Sequence, residues 1–124
     1  MFQDKKICII VPALNEELLL PRTISGMPSW IDKIIIIDDG SSDNMPSYVE
    51  SVKSVDARIE LIKHQKTLGL GQSLIDGYLA FLRTDGDICV VMAGDNQMSP
   101  NDLETVINPI ILGDADYSKG NRLH

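Results

Sequence analysis

Four consecutive isoleucines, Ile34 to Ile37, run directly into Asp38-Asp39-Gly40-Ser41-Ser42-Asp43. An unbroken β-branched run reads as a strand buried on both faces, as inside a parallel sheet. Lys6–Val11 (KICIIV) and Asp87–Met92 (DICVVM) repeat the pattern, Arg58–Lys63 alternates more weakly, and Asp116–Lys119 opens a fifth strand candidate. Helical stretches fall between them. Pro21–Met27 carries proline in its first turn, where the missing N–H costs little. Met45–Val55 follows Asp43 and Asn44, either of which suits an N-cap. Leu70–Arg83 is the clearest helix: Leu70, Leu74, Tyr78 and Leu82 recur at four-residue steps with Ile75 and Leu79 beside them, predicting one apolar stripe for the core. Pro100–Leu112 is capped by Ser99 and ended by Gly113, with Pro109 placed to kink or shorten it.

Strands alternating with helices imply parallel strands joined by right-handed crossovers. The expected fold is α/β, a doubly wound, mostly parallel sheet with helices on both faces. No internal repeat, linker or low-complexity stretch interrupts it. Gly120-Asn121-Arg122-Leu123-His124 closes the chain just after a strand candidate, with no helix to cover that strand. This reads as a cut end.

The 124 residues suffice for one domain with a real core. Hydrophobic content is 44% and mean hydropathy is near zero, a soluble globular composition. Eighteen acids against eleven bases give a net charge of −7, which argues against nucleic acid and anionic membrane surfaces as partners. Cys8 and Cys89 sit in apolar strand runs and read as reduced core thiols, which suits a cytoplasmic location. No apolar run approaches a membrane span of about 20 residues, and no signal peptide is visible.

Three polar clusters follow three strands: Pro12-Ala13-Leu14-Asn15-Glu16, Asp38-Asp39-Gly40-Ser41, and Ala93-Gly94-Asp95-Asn96-Gln97. In an open α/β sheet these loops share the carboxyl edge, where ligands bind. Each cluster alone also reads as a polar turn with a helix cap. Carboxylates can take N–H or O–H donors from a base or ribose, or hold a divalent cation that itself holds phosphate. They cannot pack around a bare diphosphate, because two unit charges about 4 Å apart repel by about 4 kcal/mol at an effective dielectric of about 20. A bridging Mg²⁺ or Mn²⁺ would relieve this, with Asp95 and Gln97 as candidate ligands. Gly69-Leu70-Gly71 opens the clearest helix, and either makes a simple turn or offers N–H groups to phosphate. His64 and His124 are too few and too far apart for a histidine metal site, and His64 is expected to be a loop residue and not a catalyst. Trp30 is expected to tie the first helix–strand loop to the core.

The strings IIVPALNEE, IIIIDDGSSD, LGLGQSLIDGY, VVMAGDNQMSPNDL and YSKGNR, in this order and spacing, resemble the family 2 glycosyltransferases, whose catalytic domain has the GT-A fold. The likeness runs from Ile7 to Arg122 and is nearest to the dolichyl-phosphate-mannose-synthase-like branch, which passes a sugar to polyprenyl phosphate. It implies an inverting glycosyltransferase with a UDP-, GDP- or dTDP-sugar donor and a Mg²⁺ or Mn²⁺ cofactor. It also implies that Pro12, Ala13 and Glu16 line the nucleotide site, with Glu16 near the ribose. Asp39 then corresponds to the residue that reads the nucleobase, and Asp38 supports it. Asp95 corresponds to the last acid of an Asp-X-Asp metal motif, with Gln97 able to join the metal shell. Lys119 and Arg122 correspond to residues near the diphosphate or acceptor phosphate.

Two departures accompany the likeness. Ala93 replaces the first acid of the metal motif, and Thr67 stands where family members often have asparagine. The family's acceptor-side half, with its catalytic base where one is used, lies beyond the KGNR string. Residues 1–124 are therefore expected to be the nucleotide-sugar-binding part. Alone they would bind donor weakly and turn over slowly or not at all, with membrane association only through segments beyond the chain. Two other readings remain: a receiver-like, Mg²⁺-dependent phospho-acceptor domain, and a non-catalytic domain that keeps the fold. Against the receiver, the first strand ends in Val11-Pro12 and not in acids.

Overall fold

The structure is a computed structural model and describes residues 4–92. Its elements are β1 (Ile7–Ala13), α1 (Leu20–Ser25), β2 (Lys33–Asp38), α2 (Met45–Lys53), β3 (Ile59–Lys63), α3 (Leu70–Leu82) and β4 (Ile88–Val91). The strands form one sheet in the order β3-β2-β1-β4, and every pairing is parallel. The direction of winding reverses between β3 and β4. Right-handed crossovers therefore place α1 and α2 on one face and α3 on the other. The expected fifth strand at Asp116–Lys119 and the helix at Pro100–Leu112 lie outside the described residues.

The isoleucine run occupies an interior strand, between β1 and β3, and all four side chains are fully buried. Alternate residues serve opposite faces. Ile34 and Ile36 join Ile7, Ile9 and Val11 of β1 beneath α1 and α2, while Ile35 and Ile37 join Cys8 and Ile10 beneath α3. Each such side chain contributes about 1.5–3 kcal/mol of apolar burial. Trp30 packs partly buried against the first of these clusters, as expected. Cys8 and Cys89 are register partners on β1 and β4 and both are free. Burial pushes the Cys8 thiol up to about 12, so it stays protonated and inert.

Two expectations need correction. β1 does not stop at Val11 but runs on through Pro12 and Ala13, which pair with Ile37 and Asp38. The ladder to β4 ends at Ile10, so Pro12 lies where β2 alone runs alongside among the described residues, a place where proline is tolerated. The second correction concerns α3. Its buried residues are Ser73, Gly77 and Ala80, and of the expected stripe Tyr78 packs partly buried against the cluster beneath the helix, whereas Leu70, Ile75, Leu79 and Leu82 are more than half exposed. The isoleucines of β1 and β2 fill the space beneath the helix, so it turns its small residues inward. A Cβ on Gly77 would lie 2.5 Å from Ile10 Cγ2 and 3.1 Å from Ile37 Cδ1.

Candidate functional site

The strand order reverses beside β1, and the loops that follow β1, β2 and β3 meet at the carboxyl edge near that point. β2 ends in Asp38, which pairs with Ala13 on one side and Lys63 on the other and is 1% exposed. Its Oδ1 accepts the Ser41 N–H at 2.9 Å, which closes the turn after the strand. Gly40 makes that turn possible with φ +80°, and a Cβ there would meet the backbone of Lys66 and Thr67 at 2.6 Å. The loop after β3 thus rests directly on the loop after β2.

Asn15 stitches the loop after β1 to the same turn. Its φ is +54°, a left-handed conformation that asparagine tolerates better than most residues. Its N–H donates to Ser41 Oγ at 2.9 Å, and its Oδ1 accepts the Ser42 N–H at 2.8 Å. Asp43 adds a second link. Its Oδ2 accepts the Glu17 N–H at 3.1 Å while its Oδ1 accepts the Met45 N–H at 3.0 Å at the start of α2. Asn44 holds the cap position but makes no side-chain cap bond, so Asp43 does that work.

Asp39 is the hub of the remaining contacts. Its carboxylate is nearly buried and accepts N–H groups from Leu68 at 2.8 Å and Gly69 at 3.0 Å. The Asp39 carbonyl accepts the Thr67 hydroxyl at 2.9 Å, so the threonine itself braces this loop. His64 follows β3 with its side chain 7% exposed, Nδ1 lying 2.9 Å from Asp39 Oδ1 and Nε2 2.6 Å from Asp76 Oδ2 on α3. Gln72, one turn earlier on α3, donates to Asp76 Oδ1 at 2.9 Å. Burial alone would push the Asp39 carboxyl up, but the Leu68 N–H, His64 and the Gly69 N–H together hold it below the usual range. The Asp39 hydrogen bond raises the His64 value, burial opposes this, and Asp76 adds to the rise. The His64 and Gln72 hydrogen bonds lower the Asp76 carboxyl.

Residues 8–124 match the family described as Glycosyl transferase family 2. The chain belongs to this family. Over 133 residues it is 31% identical to the UDP-N-acetylglucosamine–dolichyl-phosphate N-acetylglucosaminyltransferase of Methanococcus voltae, covering 97% of this chain and 53% of that protein. It is 29% identical to the dolichol-phosphate mannosyltransferase of Pyrococcus furiosus over 121 residues, covering 94% of this chain and 33% of that one. The chain thus spans about half the length, or less, of these curated relatives. A mannosyltransferase from Pyrobaculum calidifontis, solved with GDP-Man and Mn²⁺, superimposes with a TM-score of 0.71 at 18% identity, covering 88% of this chain and 33% of that one. Glucosyl-3-phosphoglycerate synthase of Mycobacterium tuberculosis, solved with Mn²⁺, UDP-Glc and phosphoglyceric acid, gives a TM-score of 0.63 at 21% identity, covering 90% of this chain and 41% of that one. Likeness at these identities carries the fold, and the fold is GT-A.

Within this family 2 chain, the structure brings Pro12, Ala13, Glu16, Asp38 and Asp39 to one edge of the sheet. Asp95, Gln97, Ala93, Lys119 and Arg122 lie outside the described residues. Among the described residues no group of three or more histidines, cysteines and carboxylates could hold a metal ion. Asp38 Oδ1 accepts the Ser41 N–H and Asp39 accepts the Leu68 and Gly69 N–H groups, so both carboxylates are braced by backbone donors. The Gly69 N–H donates to Asp39, which removes it as a phosphate donor. The cluster after β1 already held Asn15 at this edge and Asp43 was a helix-cap candidate, but Asp76 carried no expectation and His64 only a loop role. The position of His64 directly after a strand, at the same edge as Asp39, was the signal available.

Proposed function

We propose that this chain is the donor-binding part of an inverting glycosyltransferase that takes a nucleotide-diphospho-sugar and passes the sugar to a polyprenyl phosphate. The observation that carries this reading is the convergence of Glu16, Asp38 and Asp39 on one braced edge beside the point where the strand order reverses. Pro12 and Ala13 form the floor of the nucleotide site and Glu16 approaches the ribose. Asp39 reads the nucleobase with the acceptor capacity that remains on Oδ2, which accepts only the Gly69 N–H among the contacts described above. Asp38 fixes the turn that presents it. Asp95 and Gln97 would hold Mg²⁺ or Mn²⁺, and Lys119 and Arg122 would serve the diphosphate or the acceptor phosphate. When bound, the cation supplies charge neutralisation at the leaving diphosphate. The acceptor oxygen forms its bond to the anomeric carbon from the face opposite the diphosphate, whose bond to that carbon breaks, so configuration inverts.

The relatives' printed acceptor, dolichyl phosphate, supports a lipid-linked acceptor here. The neighbours solved with UDP-Glc or GDP-Man and Mn²⁺ support the donor class and the cation. No helix among the described residues is long and apolar enough to cross a membrane. We place the protein in the cytoplasm, at the membrane face where its acceptor lies. Calorimetry with UDP-, GDP- and dTDP-sugars plus Mn²⁺ tests the reading. Binding of one nucleotide class is expected, and absence of heat with all three on folded protein rejects it.

A further inference from the structure

The His64 ring sits between two carboxylates, which when ionised can accept hydrogen bonds but not donate them. A neutral imidazole has one N–H and can donate to one of them. With Nδ1 at 2.9 Å from Asp39 and Nε2 at 2.6 Å from Asp76, both nitrogens must carry protons for both contacts to be hydrogen bonds. The same Asp39 carboxylate accepts the Leu68 and Gly69 N–H groups, so the ring and the turn that opens α3 share one acceptor.

We infer that His64 is a positioning residue: as an imidazolium it links Asp39 on the β2 end to Asp76 on α3, and so holds the turn at Leu68 and Gly69 and the Asp39 carboxylate in the shape that receives the donor nucleotide. The inference rests on the donor-binding reading above. The charged groups facing the ring are Asp39 from the β2 end and Asp76 from α3, and Gln72 on α3 supports Asp76. On its own segment, the neighbouring Lys63 and Lys66 are exposed. Loss of the ring proton frees one carboxylate and leaves a buried lone pair facing it. The two negative charges then act on each other without the cation between them. The Asp39 hydrogen bond, and Asp76 with it, raise the ring's protonation against the opposing effect of burial, so the link opens as pH rises past the ordinary imidazole range.

Two measurements on the 124-residue chain test this. The first needs no ligand: nitrogen-15 NMR of the ring, assigned against His64→Gln, with the Leu68 and Gly69 amides followed across pH 6 to about 10. Both ring nitrogens protonated at neutral pH, with the two amides shifting in the same alkaline transition, is the expected result. A neutral ring at neutral pH, or amides indifferent to its titration, overturns the inference. The second is calorimetry with UDP and GDP plus Mn²⁺ at the same pH values. Affinity should fall by about fivefold or more through the ring's transition, and nucleotide should reciprocally raise that transition. The fall should be absent in His64→Gln and shifted to lower pH in Asp76→Asn. Wild-type affinity that is flat through the transition overturns the positioning role. If neither nucleotide binds at any pH, the donor-binding reading fails and the positioning role falls with it. The NMR result would then still decide whether the ring is the cation that holds the turn.

Discussion

Gly77 of α3 lies against Ile10 of β1 so closely that a Cβ on the glycine would be 2.5 Å from Ile10 Cγ2. The atom it would strike belongs to a β-branched side chain that is fully buried, so the neighbour has little room to give. Gly77→Ala should therefore destabilise the fold. Overpacking costs about 1–3 kcal/mol, and removing a helical glycine returns only about 0.5–1 kcal/mol. Urea unfolding should show a lower midpoint with an unchanged slope. A midpoint at or above wild type would mean that α3 sits farther from the sheet.

That contact also explains why the α3 stripe misled. Periodicity shows which residues share a helix face, but not which face the sheet takes. With Ile10 and Ile37 already filling the volume, Ser73, Gly77 and Ala80 allow the closest approach, and the larger leucines face outward. The strands were more legible because Ile34–Ile37 need burial on both sides, which only an interior strand supplies. Glu16, Asp38 and Asp39 were legible for a related reason: residues just past a parallel strand must gather at one edge. The Asp39–His64–Asp76 contacts were not, since they join residues 25 and 12 positions apart through side-chain directions no pattern encodes.

Asp39→Ala separates reading a base from bracing a loop. The change leaves the Leu68 and Gly69 N–H groups and the His64 ring without their acceptor. Stability should fall by about 3 kcal/mol, the scale for breaking a buried, charge-assisted set. Asp39→Asn keeps an acceptor oxygen and should lose less. If the Asn variant keeps most of its stability yet binds nucleotide at least about tenfold more weakly, base reading is supported beyond the structural role. Equal fractional losses in both variants would reduce Asp39 to a brace.

Acid should open the same contacts. The Asp39 carboxyl titrates below its ordinary value, so its contribution is present above the unfolded-state value of about 3.9 and is lost as pH falls through the folded one. His64 has the opposite sign. Its contribution is fully present below an unfolded value of about 6.5 and fades as pH rises through the raised folded value. The stability difference between wild type and His64→Gln should thus be largest between about pH 4 and 6.5 and smaller at pH 9. Paired denaturant titrations across that range check it. A difference that grows toward alkaline pH would contradict the assigned charge.

Asn15 provides the cleanest dissection of the edge, because its backbone and side chain do separate jobs. The φ of +54° is costly for alanine but free for glycine. The Oδ1 bonds to Ser42 are lost in either substitution. Asn15→Gly should cost about 1 kcal/mol, the net worth of a hydrogen bond. Asn15→Ala should cost about 1 kcal/mol more for the left-handed backbone. The loops after β1 and β2 are joined through this residue, so both variants should weaken nucleotide binding similarly while differing in stability. Binding losses that track the stability losses instead would show that the joint acts only through the fold.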